Sequence, residues 1–513
     1  MIRTSQLFRG IISGERRCSH SYIADRTMRI AGGLTRFGVR EGESVCILMR
    51  NEIAFVEVTH AVMQLGAYAV PVNWHFKRQE IEYIVADSGA LVLIGHADLL
   101  HQLEHGAPNS NLVLSVPTPP ELIAPYKINP ALLAMPQYAR DFEKWIADQP
   151  PCVSLPEGQP MTMIYTSGTT GRPKGVRRAP PTTEQAAGLE DMRAIVYGAG
   201  ARALVPGPLY HSAPNFFGIW FSHRGGALVL MPRFEPEELL RLVEAEKIDT
   251  IFMVPTMFVR LMQLPESIRM NYDISSLRHV VHGAAPCPPR VKRAMIEWWG
   301  PIINEFYGST EAGAVTFATS LDWLAKPGTV GRPLCHVELR VVGADGQVLP
   351  AGQVGEIYSR NASYPQFTYH NRPEELANVD QEGFIASGDL GYIDADGYVF
   401  LCDRIHDVVI SGGVNIYPAE IEAALHMMQG VHDCAVFGIP DAEFGEALMA
   451  VVEPHPGAMP NVLDIRDKLK TALADYKVPR NIEIRTSLPR EDSGKIFKRR
   501  LRDPYWEELG RTI

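Results

Sequence analysis

Roughly the first 330 residues alternate short apolar runs with amphipathic helical ones, a rhythm that admits few folds. "ESVCILMRN" (43–51) reads as a buried strand. The stretch after it places Phe55, Val58, Val62 and Leu65 on one helical face, and "AYAVPVN" (67–73) is the next strand. Strand, helix, strand in this order implies a parallel sheet covered by helices. "RALVPGP" (202–208), "ALVLMP" (227–232) and "TIFMVP" (250–255) repeat the theme of short apolar strands stopped by proline.

After Gly331 the texture changes. "LRVVGADGQVLPAGQVGEIYSR" (339–360) and "LGYIDADGYVFLCDR" (390–404) read as strand pairs turning at Asp345-Gly346 and Asp396-Gly397. Asp-Gly between β runs signals a hairpin, so a small antiparallel region closes the large part of the chain. From about His406 a compact module follows. Pro418 opens a helix with Ile421, Ala424, Leu425 and Met428 on one face. Two strands, a helix carrying Ile465, Leu469 and Leu473, and the strand "NIEIRTSL" complete an α-β-β-α-β unit of roughly 105 residues, enough to fold alone. The expected fold is α/β. Residues 1–405 form a large domain of parallel α/β subdomains with a small β-barrel-like region, and residues 406–513 form a small α+β domain.

A length of 513 residues exceeds what one core serves, which agrees with two domains. A formal charge of −10 excludes a general nucleic-acid binder. The seven cysteines are scattered with no C-x-x-C pair, so neither a zinc ribbon nor a disulfide framework is expected, and a reducing cytoplasm fits. No run approaches the roughly 18 apolar residues of a membrane span, and "MIRTSQLFRGIISGERRCSH" lacks the apolar core of a signal peptide.

Four short stretches carry candidate chemistry. In "MIYTSGTTGRPKGV" a β run breaks into Thr166, Ser167, Gly168, Thr169 and Thr170, with Lys174 after a proline. Glycines and small hydroxyls let backbone N–H groups close on a ligand and lysine adds a charge, a combination suited to a polyphosphate. The spacing is not that of the Walker loop, and a surface turn is the alternative. In "NEFYGSTEAG", Tyr307 beside Gly308 offers a face for stacking a base, while Thr310 and Glu311 are the ligand types Mg²⁺ shares with phosphate oxygens; read alone, the stretch is equally a turn with a helix cap. Asp389 in "ASGDLGYID" could accept from both hydroxyls of a ribose or could simply turn the chain. "PREDSGKIFKRR" places Lys495 in a basic segment that otherwise reads as a solvated face.

Together, "YTSGTTGRPKG", "YGSTE", "SGDLG" and the late "SGK" resemble, in order and over nearly the whole chain, the adenylate-forming superfamily of acyl-CoA synthetases, coumarate–CoA ligases, luciferase and peptide-synthetase adenylation domains. The resemblance implies ATP, Mg²⁺ and coenzyme A as cosubstrates. It implies that the Thr166–Lys174 loop holds the β- and γ-phosphates and that Tyr307 stacks on adenine, with Gly283, Ala284 and Ala285 as the pocket wall and Glu305, Phe306 and Gly308 alongside. Thr310 would contact the α-phosphate, Glu311 would hold Mg²⁺, Asp389 and Arg404 would bind the ribose, and Lys495 would bridge the acid and the α-phosphate. The C-terminal domain would turn about a hinge near His406 and present Ser411, Gly412 and Gly413 to coenzyme A.

"PLYHSAP" lacks the aspartate by which peptide-synthetase domains pair a substrate ammonium. Its His211 matches the histidine of acyl- and aryl-CoA ligases. Phe216, Phe217 and Trp220 are the expected acyl pocket. The segment "VRRAPP" after Lys174 replaces the family's usual hydroxyl-and-histidine sequence, and no chemical role is expected of it.

The implied activity is an AMP-forming acid–thiol ligase. It would activate a medium- or long-chain fatty or aryl acid to acyl-AMP and pass the acyl group to coenzyme A. Alternatives are an adenylating enzyme that loads a carrier protein and a steroid- or alicyclic-acid–CoA ligase. A non-enzymatic nucleotide binder is disfavoured, since every charged group the chemistry needs is present. The partners are small molecules, and a homodimer stays open.

Overall fold

The computed structural model describes residues 7–103, 110–156, 158–166, 173–411, 414–441, 444–490 and 496–507, without the side chains of His406 and Asn415. Ser167, Gly168, Thr169, Thr170, Gly412, Gly413 and Lys495 lie outside the described residues, as does the side chain of His406.

The apolar runs become parallel strands. One sheet orders Tyr68–Pro71, Ser44–Leu48, Val92–His96, Leu112–Val116 and Arg140–Asp141. Val45 through Leu48 are wholly buried, as strands covered on both faces must be. The helix Ile53–Gln64 between the first two is buried along nearly its whole length, wedged between this sheet and the next. In the second sheet Gly10–Ser13, Ala227–Leu230, Arg202–Val205, Thr250–Met253, His279–His282 and Ile303–Ser309 run parallel. Gly10–Ser13 and Arg16–Cys18 are strands that the hydropathy pattern did not signal.

The antiparallel region is hydrogen-bonded to this sheet. From Ile303–Ser309 the hydrogen bonding continues through Gly313–Ala318, Thr329–Pro333, Val399–Arg404, Phe384–Ile393 and Gly355–Asn361 to Val337–Val342. The expected β-barrel-like region is thus joined to the large sheet through this pairing. A short three-stranded sheet of Ile164–Thr166, Lys174–Arg178 and Phe367–Tyr369 lies beside it.

The small domain follows the sequence closely. Its helix Pro418–His426 packs on Val431–Asp441 and Gly445–Pro454, with Asn481–Ile484 added in parallel. The stretch read as a basic tail forms a further helix, Lys498–Glu507, which buries Leu501 and Trp506. Among the described residues, no helix is long and apolar enough to cross a membrane.

Candidate active site

The expected site residues gather where the parallel strands end and the antiparallel extension begins. Tyr307 lies on Ile303–Ser309 at a register shift against Gly313–Ala318. Gly308 is required there: a Cβ would stand 2.0 Å from the Gly313 carbonyl oxygen. Tyr307 is 9% exposed and donates its hydroxyl to Asp389 Oδ2 at 2.7 Å. Burial, reinforced by the Asp389 charge, holds its phenol well above the ordinary range. Asp389 is register partner to Arg404, and the two side chains lie 3.3 Å apart with Arg404 largely exposed. These residues form one wall on interior strands of the large sheet.

A second group sits beside it. Glu311 Oε1 accepts from Thr166 Oγ1 and from Tyr369 OH, each at 3.3 Å. Thr310 Oγ1 donates to Ser212 Oγ at 3.2 Å, and His211 immediately precedes that serine, its ring 4.4 Å from that of Tyr210. Lys174 is 9% exposed, ion-paired to Glu375 and 5.2 Å from the centre of the Tyr369 ring. Tyr369 thus touches both Glu311 and Lys174. One carboxylate flanked by hydroxyls is the hard donor set that suits Mg²⁺ shared with phosphate oxygens.

The pocket wall shows its own strain. Ala284 adopts φ +68° at an exposed turn after His279–His282, a conformation uncommon for non-glycine residues. Gly283 faces Phe306, whose carbonyl would lie 2.8 Å from an added Cβ.

Three expectations are corrected. Glu305 does not reach the nucleotide wall with its carboxylate. It is 7% exposed and held by Lys292, which is fully buried on Pro289–Trp299, with His282 Nε2 at 3.6 Å. Phe217 does not line an acyl pocket. It is fully buried against Tyr197, Phe221 and Phe252, because it falls on the core side of the helix Ser212–Phe221. The "VRRAPP" segment does have a structural role at the site: Arg178, 5% exposed, donates to the carbonyls of Thr310 at 3.0 Å and of Glu311. Burial lowers its guanidinium to about 10. An arginine at the end of a strand carries no signal of this, since these acceptors are 132 and 133 positions away.

Asn51 is a further residue that pattern reading missed. It is 4% exposed, donates to Gly207 O at 2.8 Å and accepts from Leu209 N at 2.8 Å. It therefore ties the loop that carries His211 to the first sheet.

Two cavities open in the large domain and at its junction with the small one. One of about 730 Å³ is lined by Phe216, Ile219 and Trp220 of the helix Ser212–Phe221 together with Met63, Met161 and Arg193. The other, about 290 Å³, lies between the domains. Pro206, Pro208 and Thr256 form one side, Arg233 and Arg260 stand beside them, and Arg490 of the small domain faces them.

His60 and His223 line the larger cavity; Ser222 Oγ donates to Ile219 O at 2.6 Å, so it accepts from His60 Nε2, 2.7 Å away. His60 Nδ1 then accepts from His223 Nε2 at 2.8 Å. Burial holds both imidazoles below the ordinary 6.5, and each also feels a neighbouring histidine. The unfolded chain therefore takes up protons below pH 6.5 that the fold refuses. Stability contributed here is present above that pH and lost as pH falls through it. Two such groups give a slope of up to about 2.7 kcal/mol per pH unit. Urea unfolding at pH 6.5 and 5.5 should show the fall, and His223→Asn should reduce it to about half that slope.

Comparison with known proteins agrees with this geometry. Residues 6–364 match the AMP-binding enzyme family and residues 420–495 its C-terminal domain. The chain is 34% identical over 489 residues to a feruloyl-CoA synthase of Amycolatopsis, covering 94% of this chain and 93% of that one. It is 30% identical over 480 residues to the long-chain-fatty-acid–CoA ligase FadD13 of Mycobacterium tuberculosis, covering 93% and 91%. Among solved structures, the anthranilate CoA ligase AuaEII in complex with anthranoyl-AMP superposes with a TM-score of 0.85 at 25% identity, over 98% of this chain and 95% of that one. The amide bond synthetase McbA of Marinactinospora thermotolerans gives 0.81 at 28% identity, over 97% of each chain. The chain belongs to the AMP-binding enzyme family, as an AMP-forming acid–thiol ligase of the adenylate-forming superfamily.

Proposed function

We propose that the protein activates a fatty or aryl carboxylic acid with ATP and transfers the acyl group to coenzyme A. The observation that carries this reading is the helix Ser212–Phe221. Its first residue bonds Thr310, and its Phe216 and Trp220 line the 730 Å³ cavity. An acid with its carboxylate beside Thr310 and His211 would lay its apolar body along this helix. One turn, about 5.4 Å, separates Ser212 from Phe216. Kinship with an aryl and a long-chain fatty acid ligase supports the same two acid classes.

The residues then take these roles. Asp389 and Arg404 would bind the ribose, and Tyr307 would face adenine. Lys174 would meet the phosphates, exchanging its Glu375 partner for them. Arg178 fixes the backbone from which Thr310 and Glu311 project. Thr310 would contact the α-phosphate, and Glu311 would hold Mg²⁺, which supplies charge neutralisation between phosphate oxygens. Lys495 would sit between the carboxylate and the α-phosphate, where two anions must approach.

The domain orientation fits the first half-reaction. Arg490 and Ile496 pair across a bridge that brackets the Lys495 segment, and Arg490 faces the loop before His211. Ile410 and Val414, which flank the Ser411–Gly413 loop, are 53% and 45% exposed and so turn to solvent. In the second half-reaction the small domain would turn near His406 and bring that loop to the inter-domain cavity. The arginines there suit a phosphorylated thiol.

The test is pyrophosphate release with ATP, Mg²⁺ and a panel of fatty, aryl and alicyclic acids, with and without coenzyme A. Release confined to fatty or aryl acids, with repeated turnover only when coenzyme A is present, is the expected result. Turnover without any thiol dependence would overturn the coenzyme A half of the reading.

A further inference from the structure

The first helix of the small domain, Pro418–His426, has no cap of its own: Tyr417 precedes it and makes no side-chain cap bond. Its cap comes from across the domain junction. Asp403 Oδ2 accepts from Ala419 N at 2.9 Å, while Oδ1 accepts from Arg404 N at 2.8 Å. Asp403 lies in the strand Val399–Arg404, where register pairs it with Leu390 of the large sheet. Ala419 stands on a helix that buries Ile421 and Leu425 in the small domain's own core.

A cation reinforces the contact. Lys498, on the last helix, bonds Glu422 at 2.8 Å and attracts Asp403, while Glu422 repels it. Burial raises the Asp403 carboxyl, and the Lys498 charge and the two backbone N–H groups oppose that rise. The carboxylate is thus held by groups that belong, apart from Arg404 N, to the other domain.

We propose that Asp403 is a positioning residue: it holds the small domain in the orientation seen here by capping the helix Pro418–His426, and it releases that helix when the domain turns. The proposal rests on the acyl-CoA synthetase reading and on a hinge near His406. Residues 403 and 419 lie on opposite sides of that hinge. Rotation about it carries Ala419 N away from Asp403, and a hydrogen bond beyond about 3.5 Å is no longer one. The bond exists in one orientation only, so it biases the equilibrium by its full value. A cap of ordinary strength shifts a two-state population about fivefold.

The experiment uses the full chain with Asp403→Ala and Asp403→Asn. Acid-dependent pyrophosphate release and thioester formation from supplied acyl-AMP are measured separately. A dye pair carried by unnatural amino acids at Leu321 and Met459, both exposed, reports the distance between domains. Asp403→Ala should lower pyrophosphate release about fivefold, leave thioester formation equal or faster, and move the distance distribution away from that of the parent. Asp403→Asn can still accept from Ala419 N but loses the attraction to Lys498, so it should fall between. Equal losses in both half-reactions with an unchanged distance would overturn the proposal and leave Asp403 as a stabilising cap alone. Were the parent protein to release no pyrophosphate with any acid, the synthetase reading would fail, and the dye distances would still decide the role of Asp403.

Discussion

Replacing Lys495 with alanine is expected to lower acid-dependent pyrophosphate release by about 100- to 1000-fold, the loss that follows removal of one preorganised group from a developing charge. A carboxylate attacking an α-phosphate must approach another anion. One cation at ~4 Å from such a charge is worth ~4 kcal/mol at an effective dielectric of 20. Few other groups near the site could replace it: Lys174 would be engaged by the phosphates, Arg178 is taken up by carbonyl oxygens, and Arg404 is beside Asp389. ATP binding, followed by calorimetry, should persist in the variant. So should thioester formation from supplied acyl-AMP, because neither step brings the two anions together. Unchanged pyrophosphate release would remove Lys495 from the chemistry.

The second large effect is on the fold. Lys292→Met should destabilise the large domain by about 3–5 kcal/mol, because it strips the partner from a buried carboxylate. Lys292 is fully buried, its ammonium bonds Glu305 and it lies 5.2 Å from the Trp323 ring centre. Burial already raises the Glu305 carboxyl, and the lysine charge opposes that rise. Such a loss is a large share of the roughly 5–15 kcal/mol by which proteins are stable. The double variant Lys292→Met with Glu305→Gln should recover much of it, since no charge is then left unpaired. Urea midpoints of the two variants decide the matter. A double variant no more stable than the single would mean that the site needs packing volume rather than charge pairing. Glu305 is two residues from Tyr307, so the single variant should also raise the KM for ATP.

The strands were readable because burial on both faces writes an unbroken apolar run, as in Ser44–Leu48 and Thr250–Met253. The nucleotide-facing residues were readable because short motifs keep hydroxyls, glycines and acids adjacent in sequence. Asp389 and Arg404 needed only the hairpin at Asp396-Gly397 to bring them into register. What pattern reading could not supply is which side of an element a residue faces near an irregular register. Glu305 sits in the same motif as Tyr307, yet its carboxylate goes to a helix that begins sixteen residues earlier in the chain. Phe217 sits between two cavity-facing positions, and one step of 100° around the helix sends it into the core. Asn51, Arg178, Glu375 and Asp403 act through partners remote in sequence or across the domain junction, where no local periodicity points.

The unbroken ladder from Gly10 through Ile303–Ser309 to Val337–Val342 has a further consequence for ligand affinity. A site spread over two separately packed bodies must spend part of its interaction energy on bringing them together. Here Tyr307, Asp389 and Arg404 hang from one hydrogen-bonded surface, and two of the three are already joined by a 2.7 Å bond. Their relative freedom is given up when the chain folds, not when a nucleotide arrives. Ordering entropy at binding then falls on the loops and on the small domain, and affinity should respond more to changes there than to changes in the sheet.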